Sequence, residues 1–164
     1  MNNNLIITIG REYGTGGREI GQKLALRLGI PFYDRELITR AAKKTGFDEK
    51  LFEQLDKRAT NSFLYSLTMF GSVGLNGMSL TDQLYLAQSN IIREMAEDSS
   101  CVIVGRCADH VLRDFPNKFD FFIHGSIEDR VKRVQTCGDY VIEGKTPEAA
   151  LEKMDKQRST YYNY

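Results

Sequence analysis

The sequence predicts an α/β fold: a central parallel β-sheet with helices on both faces. Three observations predict it. Short runs rich in β-branched and aromatic residues, "LIITI", "IPFYD", "CVIVG" and "FDFFIHG", alternate with stretches of helical periodicity, and strands separated by helices imply parallel pairing. The first run is apolar apart from Thr8 and rich in β-branched residues, as suits a strand covered on both faces. With 164 residues, 41% of them hydrophobic and 27% charged, the chain is long enough to bury the core such a sheet needs.

"LIITI", Leu5 to Ile9, predicts the central first strand. After a glycine-rich turn, Ile20, Leu24 and Leu28 recur at i, i+4 and i+8 and predict a helix with an apolar stripe, closed by Gly29 as its C-cap. "IPFYD" predicts a second strand ending at Asp34, and "RELITRAAKKTG" and "DEKLFEQLDKR" predict helices bounded by Gly46 and Asp48. From Thr60 to Thr81 the pattern loosens, and two readings stand: a surface loop with one helical turn, or a substrate-side flap.

"TDQLYLAQSNIIREMAED" predicts a long helix capped by Thr81, with Leu84, Gln88, Ile91, Ile92 and Met95 near one side. "CVIVG" predicts a buried strand, "ADHVLRDF" a short helix and "FDFFIHG" a further strand. Ser126 and Asp129 form a capping box for "SIEDRVKRVQ", and Thr146-Pro147 opens a last helix. "STYYNY" then follows, and a sheet of this kind leads us to expect another strand beyond it. Ligands of such sheets bind outside the carboxyl ends of the strands. The glycine-rich turn and Gly105-Arg106 both fall there.

Composition narrows the function. Twenty-two basic and 22 acidic residues give a formal net charge of zero, so no global field draws the protein to nucleic acid or to an anionic membrane. Any anion site is local, which gives weight to clustered arginines. Cys101, Cys107 and Cys137 form no C-x-x-C pair, and His110 and His124 complete no evident zinc site with them. The expectation is a reduced, cytoplasmic protein. "NNNLIITIG" after Met1 lacks a basic n-region and an apolar h-region, and no apolar run approaches about 18 residues, so neither export nor a membrane span is expected. Both histidines read as structural, and Cys107 as a small buried residue beside Arg106.

"ITIGREYGTGGREIGQKLALRLG" carries the chemistry. A phosphate-binding loop reads G-x-x-x-x-G-K-[ST]: glycines let backbone N–H groups cradle phosphate, lysine reaches the β- and γ-phosphates, and the hydroxyl holds magnesium. Aligning the final glycine with Gly16 puts Arg11 at the first glycine, Gly17 at the lysine and Arg18 at the hydroxyl. The side-chain half fails while the order of strand, glycine turn and helix N-terminus holds. Arg18 or Arg11 could supply the charge, since arginine is a good bidentate phosphate ligand. The other reading is a turn that packs a strand closely on a helix. A dinucleotide loop is excluded, because the last glycine of G-x-G-x-x-G is missing.

"IGREYGTGGREIGQKLALRLGIPFYDRELI", "CVIVGRCADHVL", "FDFFIHGSIEDRVKRV" and "KMDKQRSTYYNY", in this order, resemble the cytidylate-kinase-like family of P-loop proteins. The resemblance spans nearly the whole chain and implies a three-layer P-loop nucleoside monophosphate kinase-like fold over residues 1–164, with a lid at about 133–158. It matches Gly14, Thr15, Gly16, Gly17, Arg18 and Glu19 to the family's ATP-phosphate loop, with Gly17 for the lysine and Glu19 for the magnesium-side threonine. "YDRELITR" carries the acceptor-facing residues onto Asp34 and Arg40, which otherwise read as a helix cap and a solvated helix face. "VGRCAD" places Arg106 beside the acceptor phosphate, with Asp109 as a displaced match to the acid. "EDRVKRV" and "DKQR" imply lid residues Arg130, Arg133, Lys156 and Arg158, although the spacing of the first pair also suits an ordinary solvated face. The implied activity is transfer of the γ-phosphoryl group of ATP, with Mg2+, to CMP, dCMP or a similar acceptor. Arg18, Arg106 and Arg158 are the implied catalytic arginines. No magnesium ligand is assigned, and the oligomeric state is left open. A non-catalytic nucleotide-binding or regulatory protein, or a kinase for another small acceptor, stands beside this reading.

Overall fold

A computed structural model describes residues 3–34, 80–138, 140 and 146–162. Arg40, both helices expected between Asp34 and Thr60, and the flap up to residue 79 lie outside the described residues.

Strand β1 (Ile6–Arg11) is followed by helix α1 (Gly17–Leu28), strand β2 (Phe32–Tyr33), helix α2 (Leu80–Asp98), strand β3 (Cys101–Val104), helix α3 (Ala108–Val111), strand β4 (Lys118–Ile123), helix α4 (Ile127–Thr136) and helix α5 (Pro147–Tyr162). The four strands form one parallel sheet in the order β2-β3-β1-β4. β1 is interior, as its apolar run requires. Its residues Ile6 to Ile9 face Cys101 to Val104 on one side, and Ile6 to Arg11 face Lys118 to Ile123 on the other.

The pleat sorts this register into two cores. Ile6, Cys101 and Ile103 pack with Ile91, Ile92, Met95, Val111 and Leu112 under α2 and α3. Ile7, Ile9, Val102 and Val104 pack with Ala25 under α1. These are the three layers. Gln88, Ile91, Ile92 and Met95 are all buried, as the helical spacing predicts. Leu80 already belongs to α2, so Thr81 lies within the helix rather than at its cap.

Helix α1 corrects one reading. Its buried residues are Gly17, Gly21 and Ala25, while Ile20 and Leu28 are more than two-fifths exposed. Close approach explains the change of face: a Cβ at Gly21 would stand 2.7 Å from Val104 Cγ2 and 3.0 Å from the Phe32 ring. Small residues let the helix lie against the sheet; Leu24 still packs on that core, while Ile20 and Leu28 turn outward.

The caps follow the sequence. Gly29 ends α1 in the left-handed region and its N–H donates to the carbonyls of Ala25 and Leu26. Ser126 Oγ accepts from the Asp129 N–H at 3.1 Å, and Thr146 Oγ1 accepts from the Ala149 N–H at 3.2 Å. β4 differs from the interior strands. Phe119, Phe121 and Phe122 are all at least half exposed, and among the described residues the strand pairs only with β1.

Candidate active site

Parallel pairing brings the carboxyl ends of β1, β2 and β3 to one edge, so Arg11, Asp34 and Gly105-Arg106 meet there. The glycine turn opens directly from β1 at the same edge. Gly16 is the N-cap of α1 in the left-handed region, φ +76°, and offers no side-chain cap. The first turn of α1 therefore presents amides that have no carbonyl one turn back, aimed where a ligand would sit. Thr15 Oγ1 donates to the Glu12 carbonyl at 2.9 Å, so its hydroxyl closes the turn.

The loop is clamped from behind. Tyr13 donates its N–H to Asp155 Oδ1 at 2.7 Å, and its carbonyl accepts from Arg130 Nε at 2.8 Å. Arg130 also pairs with Asp155 Oδ2, and with Glu12 Oε2 at 3.3 Å. This arginine is buried and fully engaged. Expected in a mobile lid, it instead fixes the loop to α4 and α5. Leu151, Asp155, Arg158 and Tyr162 share one face of α5 by the i, i+4, i+7, i+11 rule, and Leu151 packs with Tyr13 and Val134. Lys156 falls off that face and is exposed.

Four arginines gather in front of the loop. Arg11 is 19% exposed at its side chain, with Nη2 3.8 Å from Asp34 Oδ1. Arg18, 53% exposed, gives its Nε to Asp34 Oδ2 at 2.8 Å. Asp34 is 13% exposed between them. Arg158 donates Nη1 to the Arg11 carbonyl at 3.0 Å and lies over the Tyr13 ring, 5.2 Å from its centroid. Arg106 stands in the left-handed region at φ 60°, followed by Cys107 at φ 51°. Two successive non-glycine residues with positive φ mark a strained turn of the kind found at functional sites.

Burial and then the charges of Arg158, Arg106 and Arg18 push the pKa of Arg11 down to about 10 against the pull of Asp34. Burial foremost also lowers that of Arg158. The cluster carries cation in excess, and an anion relieves it.

Glu19 and Arg133 face each other across the loop mouth and form an ion pair. The Arg133 guanidinium lies flat on Gly16, where a Cβ would stand 2.6 Å from its Cζ. Lys23 first, and Arg133 after it, hold the Glu19 carboxyl below its ordinary range. Asp109 stands on α3 and its carboxylate accepts from the Tyr162 hydroxyl at 2.5 Å. Cys107 is buried and its thiol is pushed up to about 12, chiefly by burial.

The residues fit a polyphosphate better than a metal. Gly14, Gly16 and Gly17 are buried, and the space a Cβ would take at the last two is held by Arg133 and Arg11, cations suited to phosphate. Glu19, at the position of the magnesium-side hydroxyl, is engaged by Lys23 and Arg133. No group of three or more His, Cys, Asp or Glu side chains converges to hold a metal among the described residues.

The profile of the cytidylate kinase-like family matches residues 6–164. The chain belongs to the cytidylate kinase-like family. Among solved structures, this cytidylate kinase-like protein is similar to an uncharacterized protein from Eubacterium ventriosum ATCC 27560, at 34% identity over 98% of this chain and 78% of that one, with a TM-score of 0.63. It is also similar to a shikimate kinase from Acinetobacter baumannii, solved in complex with shikimate, at 15% identity over 99% of this chain and 80% of that one, with a TM-score of 0.50. That second likeness is one of fold: the three-layer P-loop kinase architecture. No curated protein matches the chain.

Sequence reasoning missed Tyr13, Glu12 and Asp155 in this cytidylate kinase-like protein. The helical register of "LEKMDKQRSTYY", which sets Asp155 on the face of Arg158, could have found Asp155. Tyr13 and Glu12 carry no signal of their own, since their partners lie more than 100 residues away.

Proposed function

We propose that the protein is an ATP-dependent phosphotransferase that moves the γ-phosphoryl group to CMP, dCMP or a similar small acceptor. The observation that carries this is the convergence of Arg18, Arg106, Arg158 and Asp34 on Arg11, at the mouth of a helix N-terminus whose cap and first residue are glycines. Phosphoryl transfer asks little covalent chemistry of a protein. Positioning and charge neutralisation carry it.

The chain's own residues divide the work by position. The amides of Gly14 to Glu19 bind the donor phosphates. Arg158, held over Tyr13 and against the β1 carbonyl, stabilises charge on the transferred group. Arg106, thrust from the end of β3, and Asp34 serve the acceptor side. Arg133 closes on Gly16 as part of the lid. Magnesium, when present, neutralises phosphate charge and is supplied with the nucleotide.

The engagement of Glu19 by Arg133 favours a second reading, a nucleotide-binding protein on the same fold that has lost turnover. One experiment decides between them: coupled ADP release with ATP, magnesium and a panel of CMP, dCMP, UMP, AMP, GMP and shikimate. Acceptor-dependent release supports the kinase, with a cytidine nucleotide the expected acceptor. ATP binding without release under any acceptor supports the second reading.

A further inference from the structure

In the standard loop the first glycine stands six positions before the lysine. Here arginine occupies position 11 and glycine position 17, so glycine and cation have exchanged places in the sequence. The exchange is also spatial. A Cβ on residue 17 would lie 2.8 Å from Arg11 Cβ and 3.0 Å from its Cγ, so the Arg11 stem fills the space through which a residue-17 side chain would leave the helix. The guanidinium then runs toward the end of β3 and presses against Gly105, where a Cβ would overlap Nη1.

We infer that Arg11 takes the part of the P-loop lysine, reaching the β- and γ-phosphates from β1 rather than from the first turn of α1. This rests on the polyphosphate reading of the site. Arg18, the neighbour by sequence, is the weaker choice: its Nε is bound to Asp34 at 2.8 Å and more than half of its side chain faces solvent. Arg11 is mostly enclosed, meets Asp34 only at 3.8 Å, and lies in the crevice between the ends of β1 and β3. Gly17 and Gly105 are then the glycines that make room for it.

Calorimetric titration of ATP and of inorganic tripolyphosphate, with thermal unfolding of the ligand-free protein, tests this on four variants. A charge-assisted contact to phosphate predicts that Arg11→Met weakens ATP binding about 10- to 100-fold. The same change raises the ligand-free Tm, because it removes a cation buried among cations. Arg18→Met weakens binding less than Arg11→Met does. Gly17→Lys alone clashes with the Arg11 stem and loses both affinity and stability. The double variant Arg11→Ala/Gly17→Lys clears that space and recovers affinity to within about 5-fold of the native chain, a rescue that a merely structural Arg11 does not permit.

Two results overturn the inference while leaving the phosphate site standing. One is Arg11→Met binding ATP within about 3-fold of the native chain. The other is Gly17→Lys alone binding as tightly as the double variant, since the two side chains then do not compete for one space. Failure of the native chain to bind either ligand overturns the polyphosphate reading itself.

Discussion

Tyr13 and Asp155 are 142 residues apart in sequence, and the backbone N–H of the first donates to the carboxylate of the second at 2.7 Å. The other oxygen of that carboxylate takes the Arg130 guanidinium, whose Nε reaches back to the Tyr13 carbonyl. Both backbone groups of Tyr13 are thus fixed by one ion pair, and the glycine turn begins at the next residue. Asp155→Ala leaves a buried guanidinium with Glu12 as its remaining carboxylate. We expect a loss of roughly 3 kcal/mol in unfolding free energy and weaker ATP binding from the loosened turn. Urea unfolding measures the first, and an unchanged midpoint contradicts it.

Arg158 is held at two points, over the Tyr13 ring and hydrogen-bonded to the Arg11 carbonyl. Losing one donor aimed at transition-state charge typically costs about 100-fold or more in kcat. Arg158→Ala should show that loss with a smaller change in KM for ATP. Arg158→Lys should not rescue it, because ammonium lacks the planar fork. Equal kcat for native and lysine variants in the coupled assay removes the guanidinium fork from the mechanism.

Much of this was legible beforehand, and the reason is local chemistry. Alternating strand runs and helical periods gave the order of elements, and Gly29, Ser126 and Thr146 marked helix ends through caps that depend on neighbours within a few residues. The face of α1 was not legible. Periodicity of large apolar residues points to Ile20 and Leu28, whereas close packing on the sheet selects Gly17, Gly21 and Ala25. Arg130 misled for a related reason: spacing cannot distinguish a solvated arginine from one buried against Glu12 and Asp155. The arginines at strand ends were found because parallel topology itself predicts which edge they share.

Arg11 yields a pH prediction. Its pKa is lowered in the folded protein, from the ordinary 12.5 to about 10. The folded state therefore disfavours the charged form, at a cost of roughly 3 kcal/mol below pH 10. As pH rises from about 10 towards 12.5, the folded state releases this proton before the unfolded chain does, and the cost is relieved. Arg11→Met should be more stable than the native protein at pH 7, and the gap should narrow by pH 11. A gap that is absent at pH 7 or widens with pH contradicts the buried cation.

The thiols give a chemical readout of packing. Burial raises Cys101 to about 11 and Cys107 to about 12, so both stay protonated and enclosed near neutrality. At pH 8 a disulfide-exchange reagent should label one thiol per native chain quickly, Cys137, and all three in denaturant. Rapid labelling of Cys107 in the native protein contradicts its burial.

One measurement tests the polyphosphate site most directly: calorimetric titration of the native protein at pH 7.5 with ATP, ADP and AMP in turn. A loop and guanidinium cluster that grip the phosphate chain predict one site per chain, with affinity falling from ATP through ADP to AMP. AMP binding as tightly as ATP, or no heat with any of the three, contradicts a site built for the β- and γ-phosphates.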